Sequence, residues 1–156
     1  MSLDVGGIPI AIGDSVVAVS RRVRARFYLD SGDVRSGSRD WVILGDSESI
    51  GGFTERNGRV VEVSRLYVVD STAGLVDRYS TAINDMRTLL KKDDLGGCKT
   101  THEMGSDRSG KLTLYEFIVT KCGSHEVELS LPRRTLASRD FGGSHVRLSI
   151  LAPREN

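Results

Sequence analysis

RVVEVSRLYVVDSTAGLVDRYSTAINDMRTLL (residues 59–90) changes its hydrophobic period once, and that change decides the fold. Residues 59–70 are rich in valine and read as a long strand. From residue 72 the period becomes helical: Leu75, Tyr79, Ala82, Ile83, Met86, Leu89 and Leu90 recur three and four apart. Asp70 or Ser71 offers an oxygen to the free N–H groups of the first turn. Lys91 and Lys92 place cations at the negative end of the helix dipole, and Gly96-Gly97 stop the element. One helix over about 72–92 is the expectation.

Outward from this helix the pattern returns to period two on both sides. Toward the N-terminus, Asn57-Gly58 marks a two-residue hairpin turn, because both residues tolerate positive φ. WVILG (41–45) precedes it as a strand, and DSGDVRSGSRD (30–40) is turn chemistry. RVRARFYL (22–29) alternates, with Val23, Ala25, Phe27 and Leu29 on one side and Arg22, Arg24, Arg26 and Tyr28 on the other. IPIAIGDSVVAV (8–19) reads as one or two short strands. Toward the C-terminus, strands are expected at 98–104, 111–121, 125–131 and 145–151, with turns at SDRSG and Gly123-Ser124 and a loop from Pro132 to Ser144. Val127, Leu129 and Leu131 oppose Glu126, Glu128 and Ser130, and Val146, Leu148 and Ile150 repeat the apolar row.

The expected fold is therefore mainly β with one helix, of α+β class. A single domain spans 1–156, with a strand block at 8–70, the helix at 72–92 and a strand block at 98–151. Two antiparallel sheets are expected to form a sandwich or barrel with the helix on its flank.

Composition narrows the function classes. At 156 residues, 38% hydrophobic and 28% charged, the chain has the make-up of a soluble globular domain. No apolar run reaches the roughly 18 residues that span a bilayer, and no basic segment precedes an apolar one as in a signal peptide. A cytoplasmic or virion location without a membrane partner is expected. Cys98 and Cys122 supply no disulfide framework, so both are expected to be reduced. Net charge is +1, which attracts no polyanion in bulk. Arginine nonetheless outnumbers lysine 17 to 5.

Motifs of chemistry were weighed against simpler readings. GDSES within WVILGDSESIGG (41–52) resembles the nucleophile block of the GDSL-type (SGNH) hydrolases, which implies Ser47 as nucleophile and Asn84 in the asparagine block. That family ends on Asp-x-x-His, whereas Asp140 and His145 stand five apart, and Asn84 falls within the expected helix. A turn in which Asp46 and Ser47 satisfy local backbone groups explains the segment better. RRVRAR followed by SESIGG is a degenerate likeness to the PilZ cyclic-dinucleotide motif. GGCKTT (96–101) separates glycine from lysine and runs from helix to strand, the wrong order for a phosphate loop. Cys122 and His125 should face each other across a tight turn, but no neighbour completes a metal set at ligand spacing. No catalytic residue, metal or cofactor is expected.

What remains is the arginine cluster in SRRVRARFYLDSGDVRSGSRDW (20–41). As a strand face, Arg22, Arg24 and Arg26 form a stripe about 13 Å long with Tyr28 beside it. It suits contact with nucleic-acid phosphates, with acidic residues of another subunit such as Glu126 and Glu128, or with solvent and cross-strand acids. A non-enzymatic structural subunit of a larger assembly, binding copies of itself, is the leading expectation; a single-stranded nucleic-acid-binding module is the alternative. In outline the chain is similar to phage tail-tube and secretion-tube proteins, which are small β-barrels with a flanking helix.

Overall fold

The computed structural model describes residues 1–67, 72–90, 97–106, 114–132 and 145–153. In chain order the elements are β1 (Ser2–Val5), β2 (Ile8–Ala11), α1 (Val16–Arg24), β3 (Tyr28–Arg35), β4 (Ser38–Leu44), β5 (Ser49–Arg56), β6 (Arg59–Tyr67), α2 (Thr72–Leu89), β7 (Lys99–Ser106), β8 (Leu114–Cys122), β9 (His125–Pro132) and β10 (His145–Leu151). The strands make a two-stranded sheet, β1-β2, and a sheet of order β3-β4-β5-β6-β10-β9-β8-β7. This is the expected mainly β, α+β architecture with two antiparallel sheets. It carries two helices rather than one. The Asp70/Ser71 cap, Lys91-Lys92, Gly96, most of the SDRSG turn, Asp140 and nearly all of the loop before His145 lie outside the described residues.

Two compact units emerge, one from Met1–Leu66 with the residues from Ser149 onward, the other from Tyr67–Leu148. In the first unit, the segment read as strands over 8–19 is a hairpin followed by a helix. Gly6 and Gly7 adopt φ of 62° and 81°, the double positive φ of a type I′ turn, and Val5 pairs with Ile8 across it. Leu3, Val5, Ile8 and Ile10 of this hairpin are all buried.

The strand expected at 22–29 is corrected: residues 16–24 are α1, and β3 begins only at Tyr28. Val16, Val19 and Val23 recur at i, i+3 and i+7 and are buried, Val19 and Val23 completely. Each such valine contributes on the order of 1.5–3 kcal/mol through burial. Ser15 makes no side-chain cap. Instead the Val16 N–H donates to the Gly58 carbonyl at 3.1 Å, and the Val60 N–H donates to the Asp14 carbonyl at 3.0 Å. The β5–β6 turn thus supplies the partner that the helix start lacks locally. That turn has the expected form, with Asn57 and Gly58 at φ of 53° and 73°.

In the second unit, α2 matches the expected helix and buries Leu75, Ala82 and Met86. Tyr79 Oη lies 2.8 Å from Thr120 Oγ1, which lies 2.9 Å from Thr100 Oγ1, so a hydroxyl chain ties the helix to β8 and β7. The Tyr67 hydroxyl donates to Asp85 at 2.6 Å. Val127, Leu129, Val146 and Leu148 are buried, as the alternation predicts.

The cysteine expectation is also corrected. Cys98 and Cys122 form a disulfide, with Cα atoms 4.2 Å apart. Strand register explains it: Lys99 pairs with Lys121 across β7–β8, so the preceding and following residues meet.

Candidate interaction surfaces

Helical geometry scatters the arginines that alternation had lined up. At 100° per residue, Arg22 and Arg24 point about 160° apart around α1, whereas Arg21 and Arg24 lie about 60° apart. The structure therefore divides the cluster into internal braces and free cations.

Arg22 is a brace. Its Nη2 donates to Asp14 Oδ2 at 2.7 Å, and the same oxygen accepts from the Ala11 N–H at 3.1 Å. Partial burial pushes the Asp14 pKa up, but the Ala11 bond and the Arg22 guanidinium outweigh it and hold the carboxyl below its ordinary value. Arg26 is a second brace: it donates to the Gly7 carbonyl at 3.4 Å and lies 5.6 Å from the Phe27 ring centroid. Tyr28 opens β3 with 67% of its surface exposed.

Arg24 is different. With Arg21, Val17, Ser20, Ala25 and Trp41 it lines an open cleft of about 670 Å³. Neither Arg21 nor Arg24 has a hydrogen-bond or ion-pair partner among the described residues. Val17, one turn before Arg21, is 70% exposed. Trp41 stacks on Phe53 with ring centroids 6.0 Å apart, Arg39 stands 5.9 Å from its ring, and its indole Nε1 is buried without an acceptor. The cleft therefore combines an apolar floor with two guanidinium groups that have no partner among the described residues. The alternating pattern points to Arg24 but leaves Arg21 off the stripe, because period two hides the helix. The signal was the 16/19/23 valine spacing.

Glu126 and Glu128 share one side of β9 and have unlike surroundings. Glu126 stands opposite Lys121 and, with Lys99, Thr101, Glu103 and Val119, borders a polar groove of about 450 Å³. The Glu128 side chain is only 15% exposed; Arg147 Nη2 donates to it at 3.0 Å and His145 Nε2 lies 3.6 Å away. Burial raises the Glu128 pKa, while His145 and Arg147 lower it by more, so the carboxyl titrates below the ordinary glutamate range. Glu128 is thus an internal ion-pair partner, and the acid row expected on this strand face is reduced to Glu126.

Ser47 and Asn84 fall in the turn and the helix expected for them, and Cys122 does not stay a free thiol. Ser47 is exposed on the β4–β5 turn, closed by the Gly45 N–H donating to the Glu48 carbonyl at 2.8 Å. Asn84 sits exposed in mid-helix. Cys122 and His125 do oppose each other, but the sulfur is committed to Cys98. Among the described residues no three His, Cys, Asp or Glu side chains converge as a metal set. No helix among them is long and apolar enough to cross a membrane. No protein-family model, curated protein or solved structure matches this chain.

Proposed function

We propose that this chain is a non-enzymatic structural subunit that associates with copies of itself by extending its sheet. One observation carries the reading: β7 is an edge strand of the sheet with no neighbour beyond it among the described residues. It pairs with β8 on one side in unbroken register, from Lys99↔Lys121 to Ser106↔Leu114, and among the described residues no strand lies on the other. Its eight residues, KTTHEMGS, contain neither proline nor bulge. Such an edge presents a row of unpaired N–H and C=O groups, which another strand satisfies. By contrast, the other edge, β3, is interrupted by a register shift between Ser31 and Val34. An antiparallel β7–β7 contact joins two copies about a two-fold axis. The reading extends to a virion or tail-tube-type component, in which many copies of one small β-rich subunit repeat.

Native mass spectrometry tests it, with oligomers expected at micromolar concentration. Proline is then placed at Thr101 and, separately, at His102. Neighbouring residues of an edge strand direct their N–H groups to opposite sides, so one of the two variants leaves the β8 ladder intact and removes an outward donor. That variant should keep its melting temperature and lose assembled mass. A wild-type chain that stays monomeric at every concentration overturns the reading.

A further inference from the structure

Among the described residues the cleft on α1 lacks a partner, and the chain holds a segment of matching chemistry elsewhere. Arg21 and Arg24 stand one turn apart, about 5–6 Å between Cβ atoms. Asp46 and Glu48 sit two residues apart on the β4–β5 turn, brought together by the Gly45 N–H bond to the Glu48 carbonyl at 2.8 Å. Both acids are exposed, and neither carboxylate has a partner among the described residues. We propose that the Asp46–Glu48 turn of one copy seats in the Arg21–Arg24–Trp41 cleft of the next. The proposal rests on the assembly reading and names a second, head-to-tail contact within it.

Three observations favour this occupant. The two arginines are permanently charged and have no partner among the described residues, so an incoming carboxylate gains charge-assisted hydrogen bonds without breaking any of those shown. Val17, Ala25 and Trp41 form an apolar floor, and a turn seated on it displaces water and strengthens each pair above its worth on an open surface. Arg39 stands 5.9 Å from the ring of Trp41 on the cleft floor and adds a third cation to draw in a pair of acids. Because cleft and turn are different surfaces, the contact is heterologous and generates rings or filaments on repetition.

Reciprocal charge reversal tests it by sedimentation velocity, with circular dichroism confirming the fold of each variant. Arg21→Glu with Arg24→Glu should weaken self-association at least tenfold, and Asp46→Arg with Glu48→Arg should do the same. Mixing the two double variants in equal amounts should restore association, since each then offers the surface that complements the other. The quadruple variant should also associate. Unchanged association in either double variant, or a mixture no stronger than its components, overturns the proposal. So does the outcome in which Arg21→Glu with Arg24→Glu leaves association intact but lowers affinity for a fluorescent single-stranded oligonucleotide with a smaller salt slope, because the cleft is then a phosphate grip. A wild-type chain that never self-associates defeats the assembly reading itself, whereas association that ignores the charge reversals defeats this contact alone.

Discussion

Glu128 stands among groups that favour its charged form, with Arg147 at 3.0 Å and His145 at 3.6 Å. Burial acts the other way, yet the folded pKa is held below the ordinary 4.5. A carboxyl with a lowered folded pKa contributes stability that is complete above its unfolded pKa and lost as pH falls through the folded one. Glu128→Gln should therefore cost about 1–3 kcal/mol near neutrality, and less as the pH drops below 4.5. Melting temperatures of both proteins from pH 7 to pH 2 check this; a gap of constant size refutes it. Gly51 is a second residue-scale constraint. Its φ is 153°, and a Cβ built there collides with the Ser64 carbonyl oxygen and crowds Val5. Gly51→Ala should destabilise by about 1–3 kcal/mol, because backbone on both sides is locked in the β5–β6 ladder. Urea unfolding gives the value, and a neutral substitution would show that the ladder yields.

At the scale of elements, β7 has two attachments besides its backbone ladder with β8. One is the hydroxyl chain from Thr100 through Thr120 to Tyr79 of α2; the other is the Cys98–Cys122 disulfide at its start. The cysteines are 24 residues apart, and closing a loop of that size restricts the unfolded chain by roughly 2–4 kcal/mol. The Cys98→Ser, Cys122→Ser double variant should lose about that much in urea unfolding, and dithiothreitol should then have no further effect on it. Equal stability of wild type and variant would mean that the bridge does not constrain this segment. The helix α1 shows the converse dependence. Nine residues containing four valines form a helix because the hairpin and the β5–β6 turn receive its buried side and its first N–H. β-branched residues alone favour the strand.

For the whole molecule, the two proposed contacts respond differently to salt. A backbone ladder along β7 is nearly indifferent to ionic strength. A carboxylate–guanidinium contact weakens as the Debye length falls from about 10 Å at 0.1 M to about 3 Å at 1 M. Sedimentation at the two salt levels should therefore separate a persistent β7-paired species from larger assemblies that dissociate. Loss of every oligomer at high salt would leave the β7 contact without support. Net charge of +1 places no strong overall field on the molecule, so local patches govern this response.

The sequence by itself determined the change of period at residue 72, the α2 helix, the Asn57-Gly58 hairpin, the strand at 145–151 and the inward row of Val127 and Leu129. In each, one period or one turn chemistry has no local competitor. It left residues 16–29 divided, since 16/19/23 fits a helix and 23/25/27/29 fits a strand, and both patterns use the same valine. Only tertiary structure decided between them, through the Gly58 carbonyl that meets the Val16 N–H and the surfaces that bury Val19 and Val23. That decision also separated Arg22 and Arg26, used as braces, from Arg21 and Arg24, which line the cleft beside Trp41 without a partner among the described residues. The disulfide was hidden for a related reason. Cys98 meets Cys122 through the β7–β8 register, and register is a property of paired strands that neither strand carries alone.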